Sequence, residues 1–271
     1  MSVGFDSHLI NQFNRIRDSE LKPIFSKYGY LLNWTPKEAI LDVGCGTGDI
    51  SSKFIYPLIP KNYSRYVCSD ISPTMLKEAE KKFAGKPRVS FELLDITKKL
   101  NETNTFDHIF SMWCLMWVAD QSKAFKNMYE LLAPGGRSFH VFIQRHIFME
   151  TILEVIQRPK WKKFIPNPRE VYPFPYQNDP DPVERIRSMM KKIGYVNVEV
   201  YLEPNTFAFA NKEEFFGFLM TLPNPLHLMT KPEQEEYLRE NVELAYVNNV
   251  INESGKLEDA GDNLVVYGEK E

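Results

Sequence analysis

Ile40-Leu41-Asp42-Val43-Gly44-Cys45-Gly46-Thr47-Gly48 reads as a buried strand that runs straight into a glycine turn. Three glycines at alternate positions let the backbone take positive φ and leave no Cβ between it and a ligand. Lys37 to Val43 supplies the strand, and Asp49-Ile50-Ser51-Ser52-Lys53-Phe54-Ile55 opens a helix with apolar residues at helical spacing. Downstream, Tyr66-Val67-Cys68-Ser69 forms a second apolar run that ends in Asp70, about 20 residues beyond the glycines. In an open parallel sheet this carboxylate stands at the carboxyl end of the neighbouring strand, where it can accept hydrogen bonds from both hydroxyls of a ribose. A nucleotide-type cofactor is expected at this turn.

The spacing and charge of the turn separate two kinds of cofactor. Nicotinamide dinucleotides call for Gly-x-Gly-x-x-Gly, in which the last glycine packs a helix start beside a pyrophosphate. Here the pattern is Gly-x-Gly-x-Gly, preceded by the acidic Asp42. A carboxylate repels a pyrophosphate but attracts the ammonium and sulfonium groups of S-adenosylmethionine. A nicotinamide oxidoreductase is therefore disfavoured.

Leu41-Asp42-Val43-Gly44-Cys45-Gly46-Thr47-Gly48 resembles the first motif of the class I S-adenosylmethionine-dependent methyltransferases. Asp70 in Ser69-Asp70-Ile71-Ser72 is similar to the ribose-binding acid that ends their second strand. Phe91-Glu92-Leu93-Leu94-Asp95-Ile96 resembles the third strand, where an acidic residue reaches the adenine amino group and the next backbone amide meets the ring. Phe106-Asp107-His108-Ile109-Phe110-Ser111-Met112 resembles the fourth strand, and Leu131-Leu132-Ala133-Pro134-Gly135-Gly136 the turn before the fifth. The resemblance implies an α/β fold, with a Rossmann-like, seven-stranded, mostly parallel sheet, helices on both faces and a helical cap. It also implies S-adenosyl-L-methionine contacts from Asp42, Gly44, Cys45, Gly46, Gly48, Asp70, Ile71, Asp95, Ile96 and Ser111.

Around this half the chain divides into three parts. Residues 1-34 form an amino-terminal helical segment over the active site, with Leu9, Phe13, Ile16, Leu21, Phe25, Tyr28 and Leu31 at three- to five-residue intervals, and Pro23 is expected to split it into two helices. Residues 35-145 are the cofactor-binding half. Residues 146-271 hold a proline-rich loop, the remaining strands and a helical substrate cap, all within a single compact domain. Seven prolines between Pro159 and Pro182 predict a loop over 157-182, between helices Met149 to Ile156 and Val183 to Ile193. Val196 to Glu203 reads as the sixth strand, Asn263 to Glu269 as the seventh, and Lys212 to Asn252 as a helical insertion between them. Phe207, Phe209, Phe215, Phe216, Phe218, Leu219, Met220, Leu222, Leu226, Leu228 and Met229 make that insertion apolar. Such a cap suits a long hydrophobic acceptor better than an amino acid or a sugar.

A narrower resemblance lies in Phe106 to Val118, whose Met112-Trp113-Cys114-Leu115-Met116-Trp117 is similar to the insect juvenile hormone acid O-methyltransferases. In that family a glutamine of the first helix and the tryptophan after strand four hold the acceptor carboxylate. Trp117 matches the tryptophan, and Gln12 matches the glutamine, with Asn14 as a competing position. Members commonly carry histidine where this chain has Met116, which leaves the identity of the acid open. A carboxylic acid, with a reference pKa near 4, is already ionised at neutral pH, so methyl transfer to it needs no general base. Alignment and exclusion of water, worth about 7 to 11 kcal/mol, are the chemistry asked of the protein. For a phenol or amine acceptor a base is wanted, and His8 is the candidate; a small-molecule O- or N-methyltransferase and a non-catalytic cofactor-binding protein stay open. His108 and His140 read as structural residues in or beside strands.

Composition narrows the field further. With 271 residues and 43% hydrophobic content the chain can bury a large core. A net charge of -3, with lysines and arginines dispersed, gives no footprint for nucleic acid. Cys45, Cys68 and Cys114 form no Cys-x-x-Cys pair, so neither a disulfide framework nor a metal site is expected. The amino terminus lacks a basic region followed by an apolar stretch, and no window reaches the roughly 18 apolar residues of a membrane span, so cytoplasmic residence is expected.

Overall fold

The computed structural model describes residues 14–209, 211–248 and 257–271. Its elements run α1 (Asn14–Tyr28), β1 (Ala39–Val43), β2 (Arg65–Asp70), α2 (Pro73–Lys82), β3 (Val89–Leu93), β4 (Phe106–Met112), α3 (Gln121–Leu131), β5 (Leu132–Arg145), α4 (Ile147–Gln157), α5 (Pro168–Val171), α6 (Pro182–Ile193), β6 (Val196–Phe209), α7 (Lys212–Thr221), α8 (Lys231–Val247) and β7 (Leu257–Glu269). The strands form one sheet in the order β3-β2-β1-β4-β5-β7-β6. The pairs among β1 to β5 are parallel, whereas β7 lies antiparallel between β5 and β6. The order reverses between β1 and β4, so a crevice opens at their carboxyl ends, where the glycine turn sits.

Alternation along the central strand explains the two-layered core. All five residues of β1 are buried, as expected of a strand covered on both faces. Leu41 and Val43 join the layer built with α3, α4, α6 and the cap helices, which includes Phe125, Phe142, Ile186 and Leu238. Ile40 faces the other way, into a layer with Leu21 and Ile24 of α1, Tyr66, Ala79 and Phe139. Helices thus cover both faces.

Several local expectations need correction. Pro23 does not split the amino-terminal segment, for α1 continues through it from Asn14 to Tyr28. The helix after the glycine turn is a short π-helix, Ser51–Ile55, followed by a 3-10 turn, Tyr56–Leu58, that contains Pro57. The 157-182 segment is built mostly of turns around the short helix α5, and it packs inward: Trp161, Ile165, Tyr172, Phe174 and Tyr176 are all at most 3% exposed. The helical insertion consists of α7 and α8, separated around Pro223 and Pro225 by a 3-10 turn, Leu226–Leu228. β6 extends past Glu203 to Phe209, through Pro204, which an edge strand tolerates because its missing N–H faces away from the ladder. Among the described residues no helix is long and apolar enough to cross a membrane, and no cluster of three metal-ligating side chains occurs.

Candidate functional site

The glycine turn is hung from the neighbouring strand. Gly44 and Cys45 N–H groups both donate to the Ser69 carbonyl, at 2.8 and 2.9 Å. Gly46 N–H donates to Asp70 Oδ2 at 2.9 Å, and Ser72 N–H to Asp70 Oδ1 at 2.8 Å. Asp70, 9% exposed, therefore fixes the turn and keeps acceptor capacity toward the crevice. Burial raises its pKa, and the backbone donors Ser72, Gly46 and Ile71 pull it back down. Beside it Ile71 is 66% exposed, and Leu93 at the end of β3 is 62% exposed, so an apolar ledge flanks the carboxylate at the carboxyl ends of β2 and β3.

The three glycines have three different reasons to be glycine. All take positive φ, at +72, +57 and +73° for Gly44, Gly46 and Gly48. A Cβ on Gly44 would stand 2.2 Å from the Cys114 sulfur, and one on Gly48 would stand 3.1 Å from Ala79 Cα and Cβ in α2. Only at Gly46 would a Cβ meet nothing within 4 Å. Of the three positions expected to lie bare beneath a ligand, the structure opens Gly46 alone.

Asp42, expected to attract a cationic cofactor directly, is turned inward. It is 1% exposed, accepts a short hydrogen bond from Ser51 and another from the Tyr66 hydroxyl at 3.0 Å, and its pKa is pushed up to about 6, chiefly by burial. Its carboxylate braces the turn from below. Cys45 is 8% exposed with its N–H on Ser69, and a hydrogen bond with Cys68, together with burial, pushes its thiol pKa well up. Ser111 is fully buried, and its hydroxyl donates to the Val43 carbonyl at 2.9 Å, locking β4 to β1. At most 1% exposed, the Asp42 and Ser111 side chains support the turn rather than line the crevice.

Asp95 lies just past β3, half-buried, with Oδ1 accepting from Thr97 N–H (2.9 Å) and Thr97 Oγ1 (2.6 Å). The Ile96 carbonyl is held by Asn127 Nδ2 at 2.6 Å, which fixes the backbone there, while its side chain is in the core. Both stand on the loop beside the exposed Leu93.

After β4 the chain turns sharply. Trp113 takes φ +52°, and its N–H donates to the Val141 carbonyl at 2.7 Å. That turn places Cys114 over Gly44 and starts a 3-10 helix, Leu115–Trp117. The Trp117 ring is half-buried and meets Phe174 edge to face, with centroids 5.0 Å apart, and Phe174 N–H donates to the Met116 carbonyl at 3.1 Å. Cys114 and Phe174 were missed in the sequence. Phe174, between Pro173 and Pro175, carried the available signal: an aromatic fixed by two stiff neighbours. Gln12 and His8 lie outside the described residues, and Asn14 begins α1.

His108 and His140 are structural. His108 Nε2 stands 3.1 Å from Glu38 Oε2 at the base of the sheet. His140 is fully buried, with neither ring nitrogen hydrogen-bonded and its pKa pushed down to about 3 by burial.

A methyltransferase-domain family model matches residues 40–136, the span from β1 to the turn within β5. The chain is 25% identical to a juvenile hormone acid O-methyltransferase of Bombyx mori, over 98% of this chain and 97% of that protein. It is 28% identical to the Drosophila melanogaster protein of the same name, over 81% of this chain and 77% of that one. Among solved structures, phosphoethanolamine N-methyltransferase 2 of Haemonchus contortus shares the fold at a TM-score of 0.54 and 18% identity over 96% of this chain, which spans only about half (52%) of that longer protein. With the topology and the turn geometry, these matches mark residues 40–136 as similar to a methyltransferase domain, in a chain that resembles juvenile hormone acid O-methyltransferases over most of its length.

Proposed function

We propose that the protein transfers a methyl group from S-adenosylmethionine to the carboxylate of a hydrophobic acid. The observation that carries this reading is the reach of the Bombyx mori match: it extends through α4, the proline-rich segment and the cap helices, well beyond the cofactor half.

The crevice fits the cofactor. Gly46 leaves a cradle that any Cβ would fill, Asp70 retains acceptor sites for two ribose hydroxyls, Ile71 and Leu93 offer an apolar ledge to a base, and Asp95 with the Ile96 amide stands beside that ledge. Gly44, Cys45 and Gly48 contribute the backbone of the turn, with Asp42 and Ser111 supporting it from behind. When bound, S-adenosylmethionine supplies an electrophilic methyl group whose leaving sulfur already bears positive charge.

The chain's own work is orientation. Trp117, with Gln12 from the amino-terminal segment, is assigned to hold the acceptor carboxylate through neutral N–H donors, which orient it without neutralising its charge. Met116 and Phe174 make the surroundings of Trp117 apolar, so water is displaced from the reacting face. Neither His108 nor His140 is called upon, since the acceptor is ionised without help. Incubating the protein with S-adenosylmethionine and a panel of farnesoic acid, fatty acids, phenols and amines, with release of S-adenosylhomocysteine as the readout, tests the reading. Turnover restricted to phenols or amines would overturn it.

A further inference from the structure

Phe174 meets Trp117 from a stretch of chain without regular structure, so side chains elsewhere must hold it there. Pro173 and Pro175 carry no N–H, which leaves Phe174 as the one main-chain donor of the three. That donor goes to the Met116 carbonyl at 3.1 Å, next to Trp117. The Phe174 carbonyl in turn accepts from Gln177 N–H at 3.1 Å, which closes a four-residue turn. Within it Phe174 takes φ +34°, a left-handed conformation that a bulky L-residue keeps only where its surroundings impose it.

Two glutamines supply the constraint. The Gln177 side chain pairs with the main chain of His146 just past β5, Oε1 accepting from the N–H at 3.2 Å and Nε2 donating to the carbonyl at 2.9 Å. Nε2 also donates to Glu150 Oε1 at 3.3 Å. Gln144, near the end of β5, donates through Nε2 to the Tyr176 carbonyl at 2.6 Å. Gln144 is 6% and Gln177 2% exposed, so these bonds are made away from water, where losing them costs most. The turn is thereby strapped between the 3-10 helix after β4 and the end of β5. Because the two amides bond to main chain and to Glu150, their effect on an acceptor travels through the Phe174 ring.

We infer that Gln177, backed by Gln144, is a positioning residue for methyl transfer: it fixes the turn that sets Phe174 against Trp117 and so aims the indole N–H at the acceptor carboxylate. The inference rests on the carboxyl-methylation reading above, in which Trp117 is the donor.

Methionine fills a similar volume without donating a hydrogen bond, so Gln177→Met and Gln144→Met test the bonds rather than the bulk. Gln144→Met, which loses one bond, serves if Gln177→Met does not fold. With an acid as acceptor, kcat/KM should fall about 10- to 100-fold in Gln177→Met, the scale of a reacting group displaced by about an ångström. Calorimetry should keep the S-adenosylhomocysteine dissociation constant within about twofold of wild type. In a Trp117→Phe background, which has no indole to aim, the same substitution should cost less than about twofold. Fluorine NMR of fluorotryptophan-labelled protein should show the Trp117 resonance shifted or broadened in both variants, with that of Trp34, in the other core layer, unmoved. A full loss of kcat/KM in the Trp117→Phe background overturns the positioning role and leaves acid methylation standing, as does an unchanged Trp117 resonance in a variant that folds. If no acid is methylated although S-adenosylhomocysteine binds, the carboxyl reading fails and the aiming of Trp117 at a carboxylate with it, whereas the fluorine signal still reports separately whether the turn fixes Trp117.

Discussion

Alanine at each of the three turn glycines separates folding from cofactor binding, because the three Cβ atoms would meet such different surroundings. All three backbones are left-handed, so each substitution carries a common strain of about 1 to 2 kcal/mol. At Gly46 that is the whole cost, since no atom lies within 4 Å of the new carbon. At Gly44 the carbon would lie 2.2 Å from Cys114 Sγ and 2.6 Å from its Cβ, and at Gly48 it would press on the backbone of α2 at 3.1 Å. Overpacking of that kind adds about 1 to 3 kcal/mol. Urea unfolding of the ligand-free protein should therefore rank Gly46→Ala as the mildest of the three.

Calorimetry with S-adenosylhomocysteine should invert the order. The methyl of Gly46→Ala occupies the one bare stretch of turn and should weaken binding about 10- to 100-fold in a protein that remains folded, the equivalent of the same 1 to 3 kcal/mol. The Gly44→Ala defect, in contrast, belongs to packing. Pairing it with Cys114→Gly removes both clashing atoms and leaves only the Cα at 3.9 Å, so the double variant should recover at least 1 kcal/mol relative to additivity. Binding by Gly46→Ala within twofold of wild type would refute the assignment of the open face. Strict additivity of Gly44→Ala and Cys114→Gly would refute the packing account.

Asp70→Ala should lower S-adenosylhomocysteine affinity by about 1 to 3 kcal/mol in calorimetry, since it removes the proposed ribose acceptor and the anchor of Gly46 N–H together. Trp117→Phe keeps a ring against Phe174 but loses the indole donor, so steady-state kinetics should show kcat falling by more than cofactor affinity does. His140 has a folded pKa of about 3 against an ordinary value of 6.5, so the folded state resists protonation that the unfolded chain accepts, and stability present above pH 6.5 declines as pH falls toward 3. At pH 5 this amounts to about 2 kcal/mol, and unfolding of His140→Phe should lack that loss, its advantage over wild type growing by about that much between pH 7 and pH 5. Asp42, raised to about 6, acts in the opposite sense, its contribution being present below pH 3.8 and lost as pH rises through 6. Asp42→Asn should therefore expose the His140 slope that wild type partly conceals between pH 4 and 6, and an equal pH profile in the two would sink that balance.

The sheet and the location of the crevice were legible because they are written locally. A glycine turn after an apolar strand and an acid ending the next strand lie within a few residues of what they specify, whereas Pro134-Gly135-Gly136, read as a turn before the fifth strand, falls inside it. What each glycine faces is not local: Cys114, the atom that forbids a side chain at Gly44, is 70 positions away and arrives only because Trp113 turns left-handed. The burial of the proline-rich segment was not legible for a related reason. Proline excludes regular helix, but it does not exclude burial, and the aromatic residues Trp161, Tyr172, Phe174 and Tyr176 hold that segment in the core more firmly than its backbone pattern implied. Asp42 is the instructive case. Treating it as a charge offered to a cofactor assumed that it pointed at the crevice, whereas period-two alternation already put it opposite Leu41 and Val43, on the face with Ile40. On that face, within reach of Ser51 and Tyr66, a carboxylate is tolerated only because two hydroxyls satisfy it. The acid that precedes the turn thus acts on the cofactor through the backbone it holds in place, which is why Asp42→Asn, able to keep both hydroxyl bonds, should disturb the pH dependence of folding more than the affinity for S-adenosylhomocysteine.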